Sequence, residues 1–425
     1  MLKLRLSVVV FAIVSVSLVF CASSSCTRAV PALPTADDEP VTARNARSEA
    51  RARIVAAAMS DEELVGQAMI IGVDGVGELS NGSRAILSLV RPGAVILFGF
   101  NVAEDPRSVA SLAADIRSAA GVPALADGAA LPPFVAIDHE GGAVFRFKGG
   151  LTRLPPARTM GRAGAAAAAA AGAAAGSELR AVGVTMNAAP VVEALTQANR
   201  AFLADRAWSD DPATSGRLAA AFIEACQSSG AAAVAKHFPG NAAADPHRGL
   251  PVLDVSRAAL EGAFLAPFRR AVDAGVSAIM LSHALVPAID PGLPVSLSPL
   301  AIALLKDELG FRGIVLTDDL QMAALSGRGG AGEAAIAALS AGADMVMVSG
   351  GRTARDARAD ILAALADGRL SRSRLEDAAA RVVAQKLRFG LDTETETDRG
   401  SRLEGLGATV AGNRAALSGA MAGRE

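Results

Sequence analysis

Eight short apolar runs, each closing on a polar or small residue and each followed by an Ala/Leu/Arg-rich stretch, govern what this chain can fold into. They are Gln67–Val73, Gly93–Phe98, Phe134–Asp138, Gly183–Asn187, Ala231–Lys236, Val276–Leu281, Gly313–Thr317 and Ala343–Val348. Most are continuous rather than alternating, the pattern of strands buried on both faces. Helical stretches separate them, among them Asp61–Gly66, Asp105–Ala119, Gly161–Val182, Pro212–Ser228 and Ala354–Asp367. Ser60 before Asp61-Glu62-Glu63 and Ser298 before Pro299 carry helix-start signals. Strand and helix alternating eight times predicts an α/β fold, a (β/α)8 TIM-type barrel in a single domain over residues 50–390. A doubly wound sheet is the alternative.

The flanks read differently. Lys3 and Arg5 precede an apolar run from Leu6 to Phe20, too short to span a bilayer and suited to a signal peptide over residues 1–26. Cys21 and Cys26 follow it and are candidate sites of a lipid anchor, so the expectation is export to the periplasm or cell envelope. Residues 27–49, rich in Pro, Ala, Thr and Asp, read as a linker, and 391–425 as a polar tail with one candidate helix. Cys226 is the only cysteine beyond the leader, so no disulfide framework is expected. A net charge of −2 argues against a nucleic-acid partner, and the absence of Tyr with a single Trp argues against a broad aromatic platform.

On a barrel, the polar residues that end the strands gather at one face, where barrel enzymes keep their sites. The chain has four histidines, His139, His237, His247 and His283, and all follow strand ends, as does Trp208 in the loop after the fourth run. The fifth run closes on Lys236-His237, with Asp245 and His247 in the loop behind it. The third closes on Asp138, with Arg146 beyond. The seventh closes on Thr317, followed by Asp318 and Asp319. A carboxylate at such a position can attack or stabilise a cationic centre, which makes Asp318 a candidate nucleophile, while Asp319 suits a helix N-cap. Asp245, two residues before His247, can orient the imidazole for general acid/base work. Lys236, Arg146 and Arg206 are candidate donors to a sugar, or internal ion-pair partners of Asp138 and Glu140. No His-Glu-x-x-His or cysteine pair supports a metal, and no glycine-rich phosphate motif supports a nucleotide, so no cofactor is expected.

Taken together and in order, these motifs are specific. Gly93–Phe98, Asp138-His139-Glu140-Gly141-Gly142 with Arg146, Glu178 through Asn187 with Ala189-Pro190, and Asn199 through Arg206 are followed by Lys236-His237-Phe238-Pro239-Gly240 and Asp245-Pro246-His247. Met280 through His283, Leu309 through Gly313, Thr317-Asp318-Asp319-Leu320-Gln321-Met322 and Ala341 through Asp344 complete the set. The chain resembles glycoside hydrolase family 3, in its single-domain β-N-acetylhexosaminidase branch, from about 58 to 390. The resemblance implies Asp318 as nucleophile, Asp245 and His247 as the acid/base pair, and Asp138, Arg146, Arg206, Lys236 and His237 as sugar contacts. It implies retaining hydrolysis that releases GlcNAc from GlcNAc-MurNAc fragments of peptidoglycan, so the expected partner is a small carbohydrate.

The sequence departs from the family pattern in places. Asn241 stands where His is usual, Pro246 where Ser or Thr is usual, and His139 where Gln is common, and the loop before His247 is shorter. Two other activities of the same family, a β-glycoside phosphorylase and a β-glucosidase, remain open. So does a non-catalytic envelope lipoprotein that binds muropeptides.

Overall fold

The computed structural model describes residues 41–121 and 130–423. The proposed leader, with Cys21 and Cys26, lies outside the described residues. All eight apolar runs form strands: β1 (Met69–Gly72), β2 (Ala94–Leu97), β3 (Phe134–Ile137), β4 (Met186–Asn187), β5 (Ala232–Phe238), β6 (Ala278–Leu281), β7 (Ile314–Asp319) and β8 (Met345–Val348). They pair in parallel with their sequence neighbours, and β1 pairs with both β2 and β8, which closes the barrel. This is the expected (β/α)8 architecture.

The period of two in a strand splits each apolar run between two cores. Ile70, Ala94, Ile96, Phe134, Ala136, Ala232, Val234, Ala278, Ile314, Leu316 and Met345 form the barrel interior. The residues between them, such as Ile71, Val95, Val135, Ala233, Ile279 and Val315, pack outward with the helices. Continuing the inward parity one step past each strand's apolar part reaches Asp138, Lys236 and Asp318. The barrel itself therefore stacks these three above its interior. Val382, Leu391 and partly buried Phe389 belong to the interior cluster from the other end.

The helices that matter below are α1 (Val41–Ala58), α2 (Asp61–Gln67), α3 (Arg107–Ala119), α4 (Ala165–Ala181), α5 (Pro212–Ser228), α6 (Arg372–Arg388), α7 (Glu396–Glu404) and α8 (Leu406–Ala422). Ser60 caps α2 through a reciprocal bond with Glu63. The long helix expected over 161–182 is broken at Gly164, and its second part is α4. The alanines of α4 are explained by close approach to α5. A Cβ at Gly172 would lie 2.3 Å from the Phe222 carbonyl oxygen, and one at Gly176 the same distance from that of Cys226.

Both flanks extend the folded unit. Residues 41–49, expected as linker, are the first half of α1, which packs along α6 and pairs Arg51 with Asp392 at 2.6 Å. The expected polar tail is two helices, α7 and α8. Leu406, Val410 and Leu417 of α8 are buried, and Asn413 donates to Glu178 on α4 at 2.9 Å. The sequence offers only one candidate helix in the tail because small residues dilute its apolar face. Its apolar side rests on an alanine surface that itself shows little contrast.

Candidate active site

At the C-terminal ends of the strands lies a cavity of about 610 Å³. Seven of the eight expected site residues line it: Asp138, Arg146, Arg206, Lys236, His237, His247 and Asp318. The eighth, Asp245, stands behind His247. Its Oδ1 is 2.8 Å from the imidazole Nδ1 and also accepts the His247 backbone N–H at 2.9 Å. Those two bonds from His247, first backbone and then ring, hold the Asp245 carboxyl below the usual carboxylate range against slight burial. A carboxylate only accepts, so Nδ1 carries the proton and Nε2 is left for the cavity. Ala324, just past β7, donates its N–H to the Pro246 carbonyl at 3.0 Å. That bond docks the shortened loop against the strand end that carries Asp318, although the His247 side chain is itself 67% exposed.

The cavity wall is a chain of alternating charges. Arg146 Nη2 donates to Asp138 Oδ2 at 3.2 Å, and Lys236 Nζ bridges Asp138 Oδ1 and Glu140 Oε1, both at 2.7 Å. Arg206 forks onto Glu140 through Nε at 2.8 Å and Nη2 at 2.9 Å. Burial alone would push Asp138 and Glu140 up. Lys236 outweighs it in both, joined by Arg146 at Asp138 and by Arg206 at Glu140, so Asp138 lies below its usual range and Glu140 falls to about 2. Burial likewise pulls Lys236 down, and the two carboxylates reverse this and hold its ammonium above its ordinary value. All members therefore stay charged at neutral pH, as fixed donors and acceptors for hydroxyl groups. Sequence reasoning offered sugar contact or internal ion pairing for Lys236, Arg146 and Arg206; these side chains make the ion pairs and also face the cavity.

Glu193 was missed. It is buried and accepts from His237 N–H (3.1 Å), His237 Nδ1 (3.0 Å), Asn241 N–H (2.7 Å) and Asn241 Nδ2 (2.8 Å). Burial pushes its carboxyl up, and the His237 and Asn241 bonds outweigh this and hold it below the ordinary range. The proton is thus fixed on Nδ1 of His237. The available signal was a lone acid inside the apolar stretch Ala188–Leu195. Asn241, in the place of the usual His, donates through its backbone N–H and Nδ2 to Glu193 and so helps fix the carboxylate that holds the ring.

Asp318 accepts the Asp319 N–H at Oδ1, 2.9 Å away, and makes no ion pair among the described residues. Asp319 is not a helix N-cap. It stays in β7 and ties the strand end to the next one by accepting from the Ser349 hydroxyl and, at 3.3 Å, from the Ser349 N–H. His283 Nε2 donates to the Asp319 carbonyl at 3.0 Å, and its Nδ1 meets Ser296 Oγ at 2.8 Å. Burial holds this imidazole below its ordinary pKa despite the nearby carboxylates.

Of the four histidines, only His237 and His247 line the cavity. His283 braces Asp319. His139 is buried between Phe145 and Phe147, and burial with the nearby Arg153 charge drives it to about 3. Trp208 faces the helical shell, 5.9 Å from Phe222. An unpaired carboxylate at a strand end, a carboxylate-backed imidazole on a loop and a wall of fixed polar groups between them can perform acid/base-assisted displacement at a carbon centre.

Comparison with known proteins agrees with this chemistry. The model of the glycosyl hydrolase family 3 N terminal domain matches residues 61–385. A β-hexosaminidase of Nitrosomonas eutropha is 37% identical over 279 residues, covering 64% of this chain and 77% of the relative. A family 3 β-N-acetylglucosaminidase from Paenibacillus superposes with a TM-score of 0.74 at 34% identity, over 83% of this chain and 69% of that one. The β-N-acetylhexosaminidase of Beutenbergia cavernae does so with a TM-score of 0.70 at 31% identity, over 78% of this chain and 99% of that one.

Proposed function

The chain belongs to glycosyl hydrolase family 3 and is a glycoside hydrolase of β-hexosaminidase type; from that premise we propose that it is a retaining exo-β-N-acetylglucosaminidase releasing GlcNAc from peptidoglycan-derived GlcNAc-MurNAc fragments. In the first step Asp318 attacks the anomeric carbon while His247, entering as the imidazolium with protons on both ring nitrogens, gives the Nε2 proton to the departing oxygen and is left as the neutral Nδ1–H ring. In the second, His247 takes a proton from water, which displaces Asp318 and frees the sugar with its β configuration. Asp245 keeps Nδ1 protonated throughout, so that it is Nε2 that loses its proton in the first step and regains one in the second. Asp138, Arg146, Arg206, Lys236 and His237 bind the sugar's hydroxyl and acetamido groups. Export, with anchoring at Cys21 or Cys26, belongs to the same proposal and rests on the charge and apolar pattern of residues 1–26.

The observation that carries the reading is that Asp318, at the end of β7, and His247, on the loop after β5, line one cavity. The test is nitrophenol release from 4-nitrophenyl β-N-acetylglucosaminide, with the β-glucoside beside it. Wild type should cleave the first and Asp318→Asn neither, while the folded variant still binds GlcNAc. Equal turnover of both sugars would count against the acetamido specificity. An imidazole in place of a second carboxylate leaves the acceptor side free of one anion, which favours phosphorolysis as the second reading. Release that depends on added phosphate would select it.

A further inference from the structure

The opposite pole of the barrel holds a group of arginines that the chemistry above does not use. A cleft of about 560 Å³ lies between the end of α3, the turn from α4 into β4, and α7. Arg117, Ser118, Gly183, Glu396 and Arg399 are on its walls. Beside it Glu394 is shared by three cations: Arg180 at 2.9 Å, Arg399 at 3.6 Å, and Arg402. The fourth, half-buried Arg117, makes no hydrogen bond and no ion pair among the described residues. Arg402 Nε is also buried without a partner. Four guanidinium groups thus face one partly buried carboxylate, Glu394, and two exposed ones, Glu396 and Asp398.

Burial and this crowding act together on Arg117. Burial lowers Arg117 to about 10, with Arg399 and Arg180 adding to the effect and Glu394 and Glu396 opposing it. A guanidinium does not give up its proton in a protein, so the crowding is relieved by an anion rather than by neutralisation. The cleft has room for one. Gly183 is required by its φ of +78° and by Ala113, whose Cβ would lie 2.9 Å from a Cβ placed there, and it also keeps side-chain bulk away from Arg117 Nη1, 3.3 Å from that point. The planar fork of arginine matches tetrahedral oxyanions by paired hydrogen bonds.

We propose that this cleft binds a phosphate-type oxyanion between Arg117 and Arg399, either free or as the headgroup of an anionic lipid. Because Arg117 ends α3 and Arg399 lies on α7, the anion latches the C-terminal helices to the barrel. The site is separate from the catalytic cavity, and its test does not depend on which sugar the enzyme cleaves.

The test is thermal unfolding of the full chain in inorganic phosphate against chloride at matched ionic strength. Saturating phosphate should raise the wild-type Tm by roughly 2–5 °C, and Arg117→Gln and Arg399→Gln should lose that shift while keeping glycosidase activity. In chloride, Arg117→Gln should melt no lower than wild type, since it removes a repelled charge. An equal shift in wild type and variants would be a general salt effect and would overturn the proposal. So would the absence of a shift, or an Arg117→Gln protein destabilised in chloride. Sedimentation with vesicles of phosphatidylglycerol against phosphatidylcholine then separates the sources. A phosphatidylglycerol preference lost in Arg117→Gln assigns the lipid headgroup, and its absence, alongside an Arg117-dependent phosphate shift, assigns the free anion.

Discussion

In the proposed mechanism Asp318 and His247 have separable duties, and substitutions should separate them. Asp318→Asn should lower kcat at least ~10³-fold on every substrate, because the covalent step has no substitute. His247→Ala should cost roughly 10²–10⁴-fold on a disaccharide but much less on a nitrophenyl glycoside, whose leaving group needs little protonation. Steady-state kinetics on both substrates checks this. Glu193→Gln should free the His237 ring while leaving Asp318 and His247 in place. The expected result is a raised KM with a smaller change in kcat, restored in part by Glu193→Asp. These residues differ in how legible they were. Asp138, Lys236 and Asp318 end apolar runs at inward parity, so a reading of the runs finds them. Glu193 acts only through His237 and Asn241, and its one local signal, a lone acid in an apolar stretch, does not say what it holds. His139, His283 and Trp208 follow strand ends as the catalytic groups do, but chain position does not say which way a side chain turns.

At the scale of elements, strands were easier to read than the small-residue helices. The β-strands announce themselves because both faces are buried, which demands unbroken apolar runs. Helices α4 and α8 carry their packing in Ala and Gly, where the two faces look alike in composition. Their contacts are nonetheless exacting. Gly172→Val should clash with the Phe222 carbonyl and destabilise the protein by about 1–3 kcal/mol, read as a lowered midpoint in urea unfolding. A chain ending before Leu406 should expose the α4 alanine face and melt at lower temperature. An unchanged midpoint would mean that α8 adds nothing to the packing of the barrel.

For the whole molecule, the barrel sets chemistry at one pole and closure at the other. Near the closed end, Lys386 of α6 is fully buried with Gln67 Oε1 at 2.7 Å, and burial depresses its pKa to about 7. The unfolded chain binds this proton up to about pH 10.5, and the native chain releases it above about 7. The cost to folding is therefore complete below pH 7 and fades as pH rises toward 10.5. Wild type should accordingly gain stability relative to Lys386→Met between pH 7 and pH 9, by an amount on the order of a few kcal/mol, measured by urea unfolding at each pH. The central claim is the proposal that Asp318 acts as nucleophile and His247, lining the same cavity, as acid/base. It is tested most directly by rapid quenching of the enzyme on 4-nitrophenyl β-N-acetylglucosaminide followed by peptide mass mapping. A GlcNAc adduct on the peptide containing Asp318, absent from Asp318→Asn, is the result expected. An adduct on another carboxylate, or turnover with no adduct and release of the α-anomer, would contradict it.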